Sequence, residues 1–484
     1  MPNRNFYAGF LVICISLILS RLLFDKKINP VQKIGLILSL MPIVYVLLLT
    51  GSRGGYLSLT VVLASLVILR YQQPKLISLP IILGLLFFIF MPESYLTSLL
   101  KIRDPYAYTR VGVWSSALKA AVQRPILGWG LNTFNTVFYR YNFPVPNAIA
   151  QYGRLPGFAL NEYLQLAVEQ GFLATFIFIW IITIFLTRIL RLAKESVLSN
   201  QDLSWWINGI FLCSLSILTQ SLVDFNLHLP LVSVIFVLFV GIIMGRRSQV
   251  LPVSQYTLSL TIALIFCIIS VIILRFLSGY NIKQANRLKQ TSFEDTIAKF
   301  QLASFLNPID SLPHQHLGDF YAKKYIETKE TKWKELTIIE YNKVIRLEPE
   351  NPFPHRSLGG FYYDYTQNKD LAVAEYKKAI ERNPYNAFIH FELATIYLRE
   401  NMIDQALLFY EKASELEPNY LATYYQIALI DEKKREYEKV IALYKKILEI
   451  KEKNLIPQTG YERKLLAIDY TDVYNNLVRL SVQR

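Results

Sequence analysis

The most constraining feature of this chain is a series of eight apolar runs, at 6–23, 33–49, 55–70, 76–91, 161–187, 205–223, 230–245 and 256–277. Most are long enough to cross a bilayer core, which takes about 20 apolar residues in a helix; the 55–70 run is on the short side. A spanning segment must satisfy its own backbone groups, so runs of this kind fold as helices. Hydrophobic residues make up 53% of the chain and charged residues 18%, but the two classes are unevenly spread. Leu, Ile, Val and Phe dominate up to about residue 278, and Lys, Glu and Tyr dominate after it. The expected organisation is four membrane helices over 1–91, an outer loop with an amphipathic helix over 92–160, four more membrane helices over 161–278, and a soluble domain over 279–484. The net charge of +14 does not point to nucleic acid. Many basic residues sit at the ends of apolar runs, where they set topology, and no nucleic-acid motif is present. Cys14, Cys213 and Cys267 all lie inside apolar runs and read as small buried hydrophobes, neither a disulfide set nor a metal site.

The short loops give an orientation. Arg21, Lys26, Lys27 and Lys33 lie between the first two runs, and Arg70 and Lys75 between the third and fourth. Arg188, Arg191 and Lys194 follow the fifth, and Arg246 and Arg247 follow the seventh. If all four clusters are cytoplasmic, the alternation closes, and the amino terminus, the 92–160 segment, the Asp224–Pro230 turn and the C-terminal half lie outside. An outside amino terminus without a signal-peptide layout leads to the expectation that an odd number of helices precedes Met1 in the complete protein, the alternative being a genuine short form.

Two polar stretches on the outer side carry candidate chemistry. Thr50-Gly51-Ser52-Arg53-Gly54-Gly55 lies at a helix junction. An arginine at membrane depth costs about 2.5–3.5 kcal/mol or more unless it finds a partner or a water-filled cavity, and glycines allow a tight turn and close approach to a ligand. The bland reading is an arginine reaching up to lipid phosphates. In the second stretch, Val111, Trp114, Leu118 and Val122 recur at helical spacing, so Tyr108–Gln123 reads as an amphipathic helix at the outer interface. Arg110 stands at its first turn, where backbone N–H groups favour an anion. Pro125 ends it, and Gly128 and Gly130 give a flexible turn. Two arginines on one side of the bundle match a phosphate or diphosphate, which guanidinium binds in bidentate fashion. The bland reading of Arg110 is a surface charge.

Leu160-Asn161-Glu162-Tyr163-Leu164 opens the fifth run, and Glu162 and Glu169 share a helix face with Gln165 between them. Acidic and amide groups at that depth are functional candidates; Glu162 also fits an ordinary end-of-helix charge. Asp224 and His228 lie in a further outer turn. His228 is the one histidine before the soluble domain, and a lone histidine is more often a hydrogen-bonded turn residue than a catalyst.

The set Thr50–Gly55, Arg110 with Trp114, Pro125–Gly130, and Asn161-Glu162-Tyr163-Leu164 through Glu169 and Gly171 resembles the O-antigen ligase and polymerase family of bacterial membrane proteins. The resemblance covers most of residues 1–278, including the opening Asn-Arg-Asn-Phe-Tyr-Ala-Gly-Phe, which in that family follows several earlier helices. It implies a polytopic bundle of the GT-C-like ligase type in the bacterial inner membrane, serving lipopolysaccharide or polysaccharide synthesis. Its activity would move a glycan from a polyprenyl diphosphate carrier to an acceptor hydroxyl on the outer face. Arg53 and Arg110 would hold the diphosphate. One departure matters: the histidine that usually precedes the Asn of the Asn161 element is Leu160 here, and another often found four residues before the Asp of the later turn is Gln220.

After Gly279 the chain is helical and repetitive. Leu317-Gly318, Leu358-Gly359, Leu393-Ala394 and Ile427-Ala428 recur in equivalent settings, with Pro308, Pro349, Pro384 and Pro418 at the unit starts. The last two proline intervals are close to the tetratricopeptide period of 34 residues. Tyr341 with Val344, Tyr376 with Ala379 and Tyr410 with Ala413 take the second-helix positions, as in stacked helix hairpins. This half resembles tetratricopeptide repeats, an α-solenoid that recruits a protein partner or a second copy of the chain. His314, His355 and His390 occupy matching places and read as structural, as do most of the tyrosines.

The reading is thus all-α: a transmembrane bundle followed by a solenoid, expected to act as a glycan transferase. A diphosphate is a good leaving group, so charge stabilisation by Arg53 and Arg110 matters more than a general acid. Ser52, Trp114, Asn161, Glu169 and His228 would position substrate, with Glu162, Glu169 or Asp224 as base. The expected partners are the lipid-linked glycan and membrane lipids; no cofactor or metal is expected. The rival reading is a catalytically degenerate membrane scaffold that displays the repeats for envelope assembly. A transporter fits less well, because no inverted repeat is visible.

Overall fold

A computed structural model describes residues 4–71, 109–145, 148–198, 204–245, 255–289, 292–453, 457 and 459–482. The 76–91 run, Lys75, the Glu93–Tyr108 stretch and the Arg246–Arg247 cluster lie outside the described residues. Every described element is helical, and the chain divides into two compact units, one of residues 1–135 and 156–251, the other of 136–155 and 252–484.

In the first unit, α1 (Arg4–Phe24), α2 (Pro30–Thr50) and α3 (Arg53–Tyr71) follow one another through tight turns. Asn29 and Gln32 form a capping box at the start of α2, with Pro30 in the first turn. Gly51 ends that helix at φ 60°, in the left-handed region that a side chain disfavours, and this lets α3 begin at Arg53. The centre of the unit is α7 (Ser204–Ser221), buried along nearly its whole length and packed on α1, α3 and α6 (Glu162–Leu198). Small residues on both helices admit the α1 contact: a Cβ on Gly9 of α1 would meet Gln220, and one on Gly209 of α7 would meet Leu17. Hydrogen bonds tie both ends of the antiparallel pair, Ser204 Oγ to Phe24 O at 2.9 Å and Gln220 Nε2 to Asn5 O at 2.8 Å. Outside, α2 presents Ile34, Leu38, Met41 and Tyr45, all exposed. An apolar rim surrounds a core that is also apolar, with Leu11, Ile15, Phe185 and Leu212 buried in it, a composition suited to lipid on the outside and close helix packing within. By length and composition five described helices can cross a membrane, at Arg4–Phe24, Pro30–Thr50, Arg53–Tyr71, Glu162–Glu195 and Ile262–Leu288; Pro230–Gly245 (α8) is apolar but shorter. Of the cysteines, Cys213 is buried, Cys14 half-buried and Cys267 exposed, so the expectation of a buried Cys267 fails: its apolar helix leaves that face uncovered.

In the second unit, α9 (Gln255–Leu288) runs without a break from this apolar surface into the repeats, and residue 278, where the composition changes, lies inside it. Ser278 Oγ donates to Ala303 O of α10 (Phe293–Leu306) at 2.8 Å, and Ile282 and Ala285 are buried there. Four hairpins follow: α11 (Ser311–Thr328) with α12 (Thr331–Leu347), α13 (Pro352–Thr366) with α14 (Lys369–Arg382), α15 (Ala387–Arg399) with α16 (Ile403–Leu416), and α17 (Leu421–Lys433) with α18 (Tyr437–Glu452). The recurring Leu-Gly steps have a steric cause. A Cβ on Gly359 would stand 2.7 Å from the Tyr376 ring, and one on Gly318 3.0 Å from Tyr341, so the tyrosine of each second helix lies flat on the glycine of the first. The histidines differ among themselves. His314 and His355 each pair through Nδ1 with a carboxylate of the next helix, Glu340 and Glu375, at 2.6 Å, while His390 bonds the Pro384 carbonyl through Nε2 at 3.0 Å.

Candidate functional site

The long helix that opens at Glu162 is interrupted. Gly171 has φ 83° and ψ 170°, which no helix tolerates, so residues 162–170 form a short helix of their own before the apolar part begins. The break is filled by the backbone of the Pro125–Gly130 turn. Trp129 N donates to Val168 O and Gly130 N to Glu169 O, both at 2.9 Å, and Phe172 N donates to Pro125 O at 2.7 Å. Backbone groups released by the interruption are thus paired again, as burial at this depth demands. The fit requires glycine on both sides: a Cβ on Gly171 would stand 2.2 Å from Ile126 O, and one on Gly128 2.5 Å from the Glu169 carbonyl. The turn expected to be flexible is instead locked by these three backbone bonds. It is held further by Arg124, whose guanidinium lies 4.1 Å over the Trp129 ring.

This lock fixes the acidic face of the short helix. Glu169 accepts Gln165 Nε2 at 2.7 Å, and Gln165 Oε1 accepts the Ala159 N–H at 2.7 Å. Glu162 is 6% exposed and takes two donors from His228, the backbone N–H at 3.1 Å and the ring Nδ1 at 2.8 Å. Phe158 and Phe225 stack at 4.2 Å, and Phe158 meets the His228 ring edge-on. The imidazole is therefore fixed on one side, while its Nε2 has no hydrogen-bond partner among the described residues. Glu162, Gln165, Glu169 and His228 line one cavity of about 230 Å³, with Leu131 and Phe178 among its apolar walls.

The arginines meet the same group of charges. Arg110, at the start of α4 (Thr109–Gln123), is half-buried and lies in the field of Asp224 and of Arg53. Burial lowers its pKa, Asp224 works against that, and the neighbouring Arg53 adds to it. Asp224 is almost fully buried, and its carboxyl is pushed up by burial against the pull of the Phe225 N–H, Arg110 and Asn5, with Glu162 adding to the rise. For both groups desolvation outweighs the attraction between them, the ordinary outcome for a pair withdrawn from water. His228 moves the other way: its bond to Glu162 raises its pKa over the opposing effect of burial.

Of the residues singled out in the sequence, Arg53, Arg110, Glu162, Glu169, Asp224 and His228 are thus brought into one electrostatic neighbourhood. Three others are engaged in the frame around it. Ser52 is buried and its hydroxyl donates to Asn5 Oδ1 at 3.0 Å while accepting the Gly55 N–H at 3.2 Å. Asn161 caps the short helix through Leu164 N and reaches Leu222 O at 2.8 Å, tying it to the Asp224 turn. Trp114 points its indole N–H at Leu160 O, 3.4 Å away. Leu160 has φ 53°, a left-handed conformation unusual for leucine. The α4 helix turns Val113, Ala117, Ala120 and Ala121 inward and leaves Val111, Leu118 and Val122 exposed, so its large apolar face is the open one. Sequence reasoning placed Gln165 on the face of Glu162 and Glu169 but did not pick out Asn5 or Phe158. Asn5 and Phe158 are common residues in an apolar context, and only the folded chain brings them to Asp224 and His228.

Residues 34–179 match the O-antigen ligase family, and residues 360–386 and 375–407 match two tetratricopeptide repeat families. No curated protein matches the chain. Solved structures that align with part of it include a PilF from Pseudomonas aeruginosa, at 18% identity over 43% of this chain and 91% of that one with a TM-score of 0.32. MamA from Desulfovibrio magneticus aligns at 15% identity over 36% of this chain and 96% of that one, with a TM-score of 0.31.

Proposed function

We propose, on the premise that the chain carries an O-antigen ligase domain and C-terminal tetratricopeptide repeats, that it transfers a glycan from a polyprenyl diphosphate to an acceptor hydroxyl at the outer face of the bacterial inner membrane. The observation that carries the proposal is the convergence of Arg53 and Arg110 with the Glu162–His228 pair and its cavity. Arg110 lies in the field of Arg53, and repulsion between two guanidiniums is relieved by an anion between them, which a diphosphate leaving group supplies.

In this reading the acceptor hydroxyl enters the cavity and gives its proton to His228 Nε2. Glu162 holds the ring by Nδ1 and stabilises the imidazolium, the logic of an oriented histidine base. The acceptor oxygen attacks the anomeric carbon, the bond to the diphosphate breaks, and Arg53 and Arg110 take up the charge released. His228 thereby serves where the family's usual histidine is replaced by Leu160. The positive-inside pattern of the short loops supports a reading in which this end of the bundle, and with it the acceptor chemistry, faces the outer side. Neither a metal nor a cofactor is needed for these steps.

The test is transfer from a defined polyprenyl-diphosphate glycan in membranes containing the full chain. Arg110→Ala and His228→Ala should each lower transfer about a hundredfold or more at matched expression. Activity in both variants equal to the wild type would refute the assignment and favour the scaffold reading.

A further inference from the structure

The segment between the two parts of the site, Thr136–Leu155, belongs to the repeat unit. It is bound there by its backbone. Glu417, at the end of α16 and fully buried, receives the N–H groups of two successive residues, Gln151 at one carboxylate oxygen and Tyr152 at the other, the latter at 2.9 Å. Asn419 donates to Ile149 O at 2.9 Å. Two donors and one acceptor of a bent stretch, itself closed by the Val145 N–H on Gln151 O at 2.8 Å, are therefore satisfied by side chains of one repeat junction, a mode of recognition that reads main chain and leaves sequence to neighbouring pockets.

Those pockets are small and specific. Tyr152 stacks on Tyr385, with ring centres 4.7 Å apart and planes 13° apart. Ala150 is buried in a cluster with Ala387, Leu416 and Tyr420. A Cβ on Gly153 would stand 2.7 Å from the Ala150 Cβ and 3.2 Å from the Tyr461 ring, so glycine fits the bend against that ring. Further along, Tyr139 meets Phe353 edge-on, and Arg140 pairs with Glu350 at 3.4 Å. We infer that the surface formed by the junction turns between α14 and α15 and between α16 and α17 is a peptide-binding site, and that its resident ligand is this chain's own Ala150-Gln151-Tyr152-Gly153 segment, clamped by Glu417. Any outside peptide that uses this site must carry the same pattern of small residue, aromatic and glycine, and must displace the segment. The inference does not depend on glycan transfer, because its test reads binding alone.

Hydrogen exchange on the full chain in detergent provides that test. In the wild type the amides of 148–155, led by Gln151 and Tyr152, should exchange slowly. Glu417→Ala and Tyr152→Ala should each speed them at least tenfold while α13 and α15 exchange as before. The Tyr152→Ala change lies on the ligand and leaves the repeats intact, so it decides the matter where Glu417→Ala fails to fold. A labelled synthetic peptide spanning 145–155 should bind the Tyr152→Ala chain at least tenfold more tightly than the wild type, whose site is filled. Exchange at 148–155 that is equally fast in the wild type and the Tyr152→Ala chain, or equal peptide binding to the two chains, overturns the inference.

Discussion

The same side-chain pair occurs in both units, and its setting differs. In the repeats, His314 and His355 pair through Nδ1 with Glu340 and Glu375, and the four side chains are buried or nearly so. Lys343 and Lys378 complete the arrangement by binding the second oxygen of each carboxylate, at 2.8 and 2.7 Å. In the membrane-type unit, His228 pairs through Nδ1 with Glu162, but its side chain is 40% exposed and borders a cavity. A buried pair with its carboxylate fully used cements two helices. A pair with one face on a cavity keeps a titrating nitrogen available. Position, and not residue type, separates mortar from machinery, so the two should respond to mutation in opposite currencies, stability against rate.

The largest effect is expected at Arg110. Arg110→Ala should lower transfer about 10²–10³-fold with unchanged expression, the usual cost of removing one preorganised charge stabiliser. A loss below threefold in a membrane transfer assay would place Arg110 outside the site. His228→Ala should follow, with about a hundredfold loss and little change in thermal stability. Because Glu162 raises the His228 pKa and a base must be neutral, transfer should climb as pH rises through that raised value. Glu162→Gln should move the climb to lower pH, and a pH profile with an unmoved limb would exclude the pair.

A smaller but structural loss is expected for Gly171→Ala, whose Cβ meets backbone that cannot give way at a φ of 83°. It should cost about 2 kcal/mol or more, visible as earlier thermal inactivation of the membrane unit. His355→Ala should reverse the His228 pattern. Removing it strips a buried carboxylate of one partner, a loss of about 1–3 kcal/mol in repeat-domain stability, with transfer retained. Its acid dependence has a definite sign. Burial pushes Glu375 up, but His355 and Lys378 prevail and hold its carboxyl below the usual 4.5, so this stability is present above that value and lost as pH falls through the depressed one.

The smallest effect concerns His316, where burial and Lys289 lower the pKa from 6.5 to about 4. Between those values the unfolded chain binds the extra proton, so repeat stability should rise with pH across that window. A denaturation series from pH 4 to 7 in His316→Gln, flatter than in the wild type, would check it.

Much of this was legible in the chain itself. Apolar run lengths outlined the described spans, and the Leu-Gly and Leu-Ala steps with their tyrosines outlined the repeats, because both signals are local and periodic. Arg53, Arg110, Glu162 and Asp224 stood out because charge in an apolar context is costly. The partnership of His228 with Glu162 was not legible, since it joins two turns distant in sequence. Nor was the interruption at Gly171, which depends on the Pro125–Gly130 backbone fitting against it. Most of all, no pattern in Ala148–Leu155 announces that it belongs with the repeats. Its bonds are made by backbone groups, which every residue has.

That occupied groove sets a competition. A ligand tethered at both ends to its own receptor acts as though present at about millimolar concentration. A free peptide of equal intrinsic affinity would therefore half-fill the groove only near that level, far above the abundance of ordinary cellular peptides. Mass action makes the resident segment a filter. The partners able to pass it are those held on the same membrane surface, where confinement raises their own local concentration to match.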